Sequence, residues 1–290
     1  MPVRVGCAMW ANRDWIGRFL PAETRPHQLL AAYSRRFGAV EGNTTFYGLP
    51  SPGSVRRWAD DAPEWFRFLF KLPRTITHER RLRHADDEVT EFCRRVEPLG
   101  ARLGPTSVQL PATFGPDRLD ILGGFLATLP GDRPWSVEVR HPDFFAGGTS
   151  EAALDDLLHR LGMDRVVLDS RALFSRPPTD DVERVAHGAK PRLPVRPTAT
   201  GPHPVVRFIG HLDAEVSAAH WDRWFPVVAR WVEQGREPHL LFHTADNVDA
   251  PEQARRFLAG LVAHHPDLAA DVVPDPEADP GPAAATLPLP

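Results

Sequence analysis

Cysteine, lysine, tyrosine and asparagine are all scarce in this 290-residue sequence. Cys7 and Cys93 are the only cysteines, so there is no disulfide framework and no paired zinc-ligand spacing, a usage that fits a reducing, cytoplasmic compartment. No stretch approaches the roughly 18 apolar residues of a membrane-spanning helix, and no signal-peptide layout opens the chain, so no membrane partner is expected. Neither a G-x-G-x-x-G turn nor a Walker A pattern is present, and no nucleotide cofactor is expected. A formal net charge of −4 argues against a surface built as a whole for nucleic acid. Only Lys71 and Lys190 among the 34 basic residues are lysine. Where arginine is the default cation, a retained lysine suggests a need for a compact ammonium or a titratable amine.

Eight short β-branched or aromatic runs are present. They lie near Val3–Cys7, Ala39–Asn43, Phe66–Lys71, Ser107–Leu110, Trp135–Arg140, Arg165–Asp169, Val205–Ile209 and His239–His243. Between them, apolar residues recur at helical spacing, as in Val89, Phe92, Cys93 and Val96, or Ala254, Phe257, Leu258 and Leu261. Strand and helix therefore alternate about eight times, which predicts parallel strands with right-handed crossovers. The fold expected is a single α/β domain, a (β/α)8 TIM barrel over residues 1–273. Residues 176–204, between the sixth and seventh strands, read as a long loop, and 274–290 as a disordered Pro/Ala-rich tail.

Sites in such barrels lie at the C-terminal ends of the strands. Glu41, Lys71, Gln109, Glu138, Arg140, Asp169 and Arg207 all sit on or beside apolar runs, where a charge is costly unless paired. Glu138 and Arg140 share one face of their strand by alternation. Mixed signs gathered at one rim can bind a polar or anionic molecule, or satisfy one another as a buried ion network.

The sequence also resembles a known family. Gly6-x-x-x-Trp10, Trp15-x-Gly17-x-Phe19-x-Pro21 and the block Glu41-x-Asn43-x-Thr45-Phe46-Tyr47 look like the start of DUF72 (YecE-like) proteins. The likeness continues through Lys71, Ile76-Thr77-His78, Gln109-Leu110-Pro111, Glu138-x-Arg140-His141, Asp169, Arg207-x-x-Gly210 and Phe242. It implies a TIM barrel with a polar pocket at the strand ends, and it supplies no reaction.

Glu41, Lys71, Glu138 and Asp169 are the candidate catalytic residues, because carboxylates and a buried amine can move protons or, for lysine, form a Schiff base. Trp10, Asn43, Thr45, Tyr47, His78, Gln109, Arg140, His141, Arg207 and His243 are the candidate substrate contacts. Arginines suit anions, amides and hydroxyls suit sugar oxygens, and an indole can stack. A divalent metal could draw on the carboxylates, with His211 or His243, but neighbouring cations oppose it and no metal site is expected. The reading that follows is an isomerase- or lyase-like enzyme for a small anionic, sugar-like or phosphorylated molecule. A metal-dependent nuclease and a non-catalytic binding protein are the alternatives. The sequence fixes no oligomeric state.

Overall fold

In the computed structural model, residues 1–273 are described; the tail expected over 274–290 lies outside them. The strands are β1 (Val3–Cys7), β2 (Ala39–Gly42), β3 (Arg67–Phe70), β4 (Thr106–Gln109), β5 (Trp135–Glu138), β6 (Asp164–Arg165), β7 (Val167–Asp169), β8 (Val205–Ile209), β9 (His239–His243) and β10 (Val272–Val273). All eight expected strands are present, the sixth broken at Val166 into β6 and β7. The unforeseen β10 lies parallel to β1.

Every strand pairing is parallel. One sheet runs β3-β2-β1-β9-β8-β7, and a second runs β4-β5-β6. Two isolated parallel bridges, Phe68↔Leu103 and Lys71↔Ser107, join β3 to the β4 side, and Val166 N, at the break between β6 and β7, donates to Val137 O of β5 at 2.9 Å.

The two-residue period of a strand explains the division of side chains. Val40, Phe68, Val108, Val137, Phe208 and Phe242 share the main core with the helices. There Phe68 stacks on Phe70, and Phe242 meets Phe257 of helix Ala250–His264 at 5.2 Å. Each such ring contributes roughly 1.5–3 kcal/mol by burial. The opposite strand face carries a separate small cluster, Ala39, Leu69, Val166, Val205 and Leu241. On this face the order along β3 is Arg67, Leu69, then Lys71, and along β9 it is His239, Leu241, His243. A thin apolar layer therefore divides two polar groups, one at each end of the strands.

Close approach of β1 to β2 sets the first part of the upper group. A Cβ on Gly6 would lie 1.8 Å from Ala39 O, so only glycine fits there. Tyr33 Oη bridges the pair, accepting from Cys7 N at 2.7 Å and donating to Ala39 O at 2.9 Å.

The segment 176–204 corrects the expectation of an irregular loop, because it carries helix Asp181–Ala189. Asp180 caps it through Glu183 N, and Glu183 in turn accepts from Thr179 N and Oγ1. Its pattern is inverted: Val182 and Val185 are exposed, whereas Glu183 and Ala186 are buried. Ala186 packs with Leu168, Leu173 and Ile209 over the ends of β7 and β8. Among the described residues no helix is long and apolar enough to cross a membrane.

Candidate active site

The C-terminal ends of the strands hold one continuous ion network. Arg207, on β8, is its hub. Its guanidinium contacts Glu41 on β2, with Nε 2.6 Å from Oε1 and Nη2 donating to Oε2 at 3.2 Å. Nη1 donates to Glu138 Oε2 on β5 at 2.8 Å. Arg140 takes the other Glu138 oxygen, Nε donating to Oε1 at 2.7 Å. Lys71, just past β3, places Nζ 3.4 Å from Glu41 Oε1, and His243 at the end of β9 places Nε2 3.4 Å from Glu41 Oε2. Asn43 Nδ2 donates to Glu41 Oε2 and to Ala8 O, both at 2.9 Å.

This arrangement decides the charge states. Burial raises the Glu41 carboxyl, but Arg207 and then Lys71 outweigh it and hold that group well below the usual carboxylate range. Burial acts likewise on Glu138, and Arg207, Arg140 and Lys71 bring it down to about 2. For Lys71, burial and then Arg207 lower the amine to about 8, against Glu41 and Glu138. Burial drives His243 well below its ordinary value, only partly offset by Glu41, so the ring is neutral. Burial and then Arg140 and Arg74 also lower His78 at the rim.

Lys190, absent from the sequence-level candidates, belongs here too. It follows helix Asp181–Ala189, is largely buried, and feels the charges of Arg207, Glu41, Arg140 and Glu138. The scarcity argument that picked out Lys71 applies equally to Lys190 and could have found it. Among the described residues, Lys71, Arg140, Lys190 and Arg207 thus face two carboxylates. Gln109, paired in register with Glu138, keeps Oε1 buried with no hydrogen-bond partner among the described residues, and His243 Nε2 is in the same condition.

Several candidates fall elsewhere. Asp169 is fully buried but does not join the network. It shares its strand face with Val167, pairs in register with Phe208, and accepts from Trp224 Nε1 at 2.8 Å and from Arg171. Alternation along β7 turns it toward the helices. Thr45 is buried against backbone, donating to Lys71 O at 2.8 Å and accepting from Lys71 N at 3.2 Å; it fixes the lysine's main chain. Trp10 packs edge-on against Trp58 and Phe68 as part of the core margin. His141 Nδ1 accepts from Asp143 N at 3.3 Å and caps the turn that follows β5. Tyr47 is 77% exposed, and Phe46 lies edge-on between it and His78. Among the described residues no three His, Cys, Asp or Glu side chains converge as a metal-holding group.

The family described as "Protein of unknown function DUF72" matches residues 4–278. The chain belongs to the DUF72 family. The UPF0759 protein YecE of Escherichia coli K12, a relative, is 40% identical over 268 residues, spanning 92% of this chain and 96% of its own. Two solved DUF72 structures share the fold. The Thermotoga maritima MSB8 protein has TM-score 0.67 at 24% identity, covering 90% of this chain and 99% of its own. The Enterococcus faecalis V583 protein has TM-score 0.67 at 19% identity, covering 89% and 95%.

Proposed function

We propose that the two sheets close into one (β/α)8 barrel over residues 1–273, and that its C-terminal mouth belongs to a cytoplasmic enzyme that binds a small polar anion, sugar-like or phosphorylated, and moves a proton on it in isomerase- or lyase-like fashion. The bridges between β3 and the β4 side, and the short break between β6 and β7, support closure. The anion reading rests on a single observation: among the described residues, four cations face two carboxylates at the strand ends, an excess of two positive charges beside a buried Gln109 Oε1 without a hydrogen-bond partner. A dianion such as a phosphate monoester would balance that excess.

Roles follow from charge state. Arg140, Arg207 and Lys190 hold the anion, while Asn43, Gln109 and His78 orient hydroxyls. Glu41 and Glu138, held firmly ionised, are weak bases and serve to keep the cations in place, although the sequence suggested that they carry the proton. Lys71, with an amine at about 8, is the group matched to proton transfer near neutrality. Titration calorimetry with inorganic phosphate and a panel of sugar phosphates, followed by proton-exchange assays in deuterated water, tests the proposal. Saturable binding with exchange at a substrate carbon is the expected result. Binding without exchange leaves a non-catalytic binder, and no binding at low salt removes the reading altogether.

A further inference from the structure

We propose that Lys71 is a nucleophile that forms an imine with the substrate's carbonyl carbon, which narrows the substrate class to anionic aldehydes and ketones. This rests on the anion-binding reading above and goes beyond it by making the lysine covalent.

The geometry singles out this amine. Its main chain is held from both sides: Thr45 Oγ1 engages Lys71 N and O, and Leu72 N donates to Ser107 O at 3.0 Å. The side chain, by contrast, is held more loosely than the guanidiniums of Arg140 and Arg207. Nζ has one carboxylate contact, Glu41 at 3.4 Å, whereas Arg207 takes that same carboxylate at 2.6 Å. Had the position needed only a cation, arginine would serve, as it does at all but two of the 34 basic residues. Guanidinium makes better carboxylate pairs and cannot form an imine. The groups facing Nζ are Glu41 from β2, Glu138 from β5, Arg140 just past it and Arg207 from β8, with His243 across the Glu41 carboxylate. Burial and Arg207 together bring the amine to about 8, so an uncharged fraction exists at mildly alkaline pH.

The step balances without a co-reactant. The uncharged amine attacks the carbonyl carbon, forming the C–N bond as the C=O π pair moves to oxygen. Protons pass from nitrogen to that oxygen, the C–O bond breaks, and water leaves. Overall an ammonium and a carbonyl give a protonated imine and one water. The site's charge is therefore the same before and after the step. The protonated imine acidifies the adjacent C–H.

Having two lysines makes the test clean. The full chain is incubated at pH 8 with glyoxylate, pyruvate, glycolaldehyde phosphate or glyceraldehyde 3-phosphate, with acetone and glyceraldehyde as neutral controls. Borohydride is then added, and intact mass and peptide mapping locate the adduct. A single adduct on Lys71 is expected with at least one anionic carbonyl and not with the controls. Its yield should fall about tenfold or more in Lys71→Arg, and it should persist in Lys190→Arg. Thermal unfolding checks that each variant is folded, and phosphate binding is measured alongside. Adducts confined to Lys190 or the terminal amine, or no adduct while phosphate still binds, overturn the imine and leave the anion site standing. Loss of both adduct and phosphate binding overturns both. An adduct on Lys71 without phosphate binding keeps the imine and overturns the anion reading.

Discussion

At the start of the strands, Arg4 donates to Trp65 O and Glu237, Arg67 donates to Glu64 O and Phe66 O, and Arg236 donates to Gly201 O. At the opposite end, Arg207 and Arg140 spend their donors on Glu41 and Glu138. The same residue types thus do two jobs. Cations that end on backbone carbonyls fasten loops, and little is left over for a ligand. Cations gathered on too few carboxylates keep unspent charge facing one place. Histidine draws no such line, since burial holds both His239, at about 3, and His243 neutral.

The largest test of this contrast is Arg207→Met. It removes the cation that Glu41 and Glu138 share inside the core and should cost about 3–5 kcal/mol in urea denaturation. Arg67→Met, partly exposed and bonded to carbonyls, should cost about 1 kcal/mol. Equal losses would break the comparison.

Next comes pH. Glu138 is depressed to about 2, so its contribution is complete above its unfolded value near 4.5 and is lost as pH falls toward 2. Asp164, at the start of β6, runs the other way. Burial lifts it to about 6, despite donors from His203 N and Gly201 N, so its contribution is present below about 3.8 and is lost as pH rises through 6. Each amounts to roughly 3 kcal/mol. Unfolding midpoints of Glu138→Gln and Asp164→Asn between pH 3 and 8 should therefore depart from the parent with opposite slopes. A smaller effect is expected for Lys190→Met: phosphate affinity about tenfold weaker, with stability changed by less than ~1 kcal/mol, whereas Arg236→Met leaves affinity unchanged. Smallest is Tyr47→Ala, which should move stability by no more than about 0.5 kcal/mol because the ring is exposed.

How much of this was legible in the chain depends on which side chains carried the signal. β1, β8 and β9 have the bounds expected from their apolar runs, because strands with both faces covered read as continuous hydrophobic stretches. The network could be anticipated because Glu41, Lys71, Glu138 and Arg207 interrupt such runs. Asp169 interrupts one as well, yet it faces Trp224; a three-residue strand after a break carries too little pattern to fix its phase. Helix Asp181–Ala189 escaped because its valines point to solvent and its buried positions are Glu183 and Ala186, the reverse of the periodicity that announces a helix. The Asp180-x-x-Glu183 cap was its one readable trace. Lys190 was missed along with it.

The short β10 has a practical consequence. Val272 and Val273 pair with Val3 and Arg4, and the Met1 amine contacts Asp271 Oδ1 at 2.7 Å, so the first residue and the last described ones meet beside the starts of the strands. An affinity handle, a fluorophore or a tether to a sensor chip attached at Met1 would sit on the far side of the molecule from Lys71, leaving the approach of a small solute unobstructed.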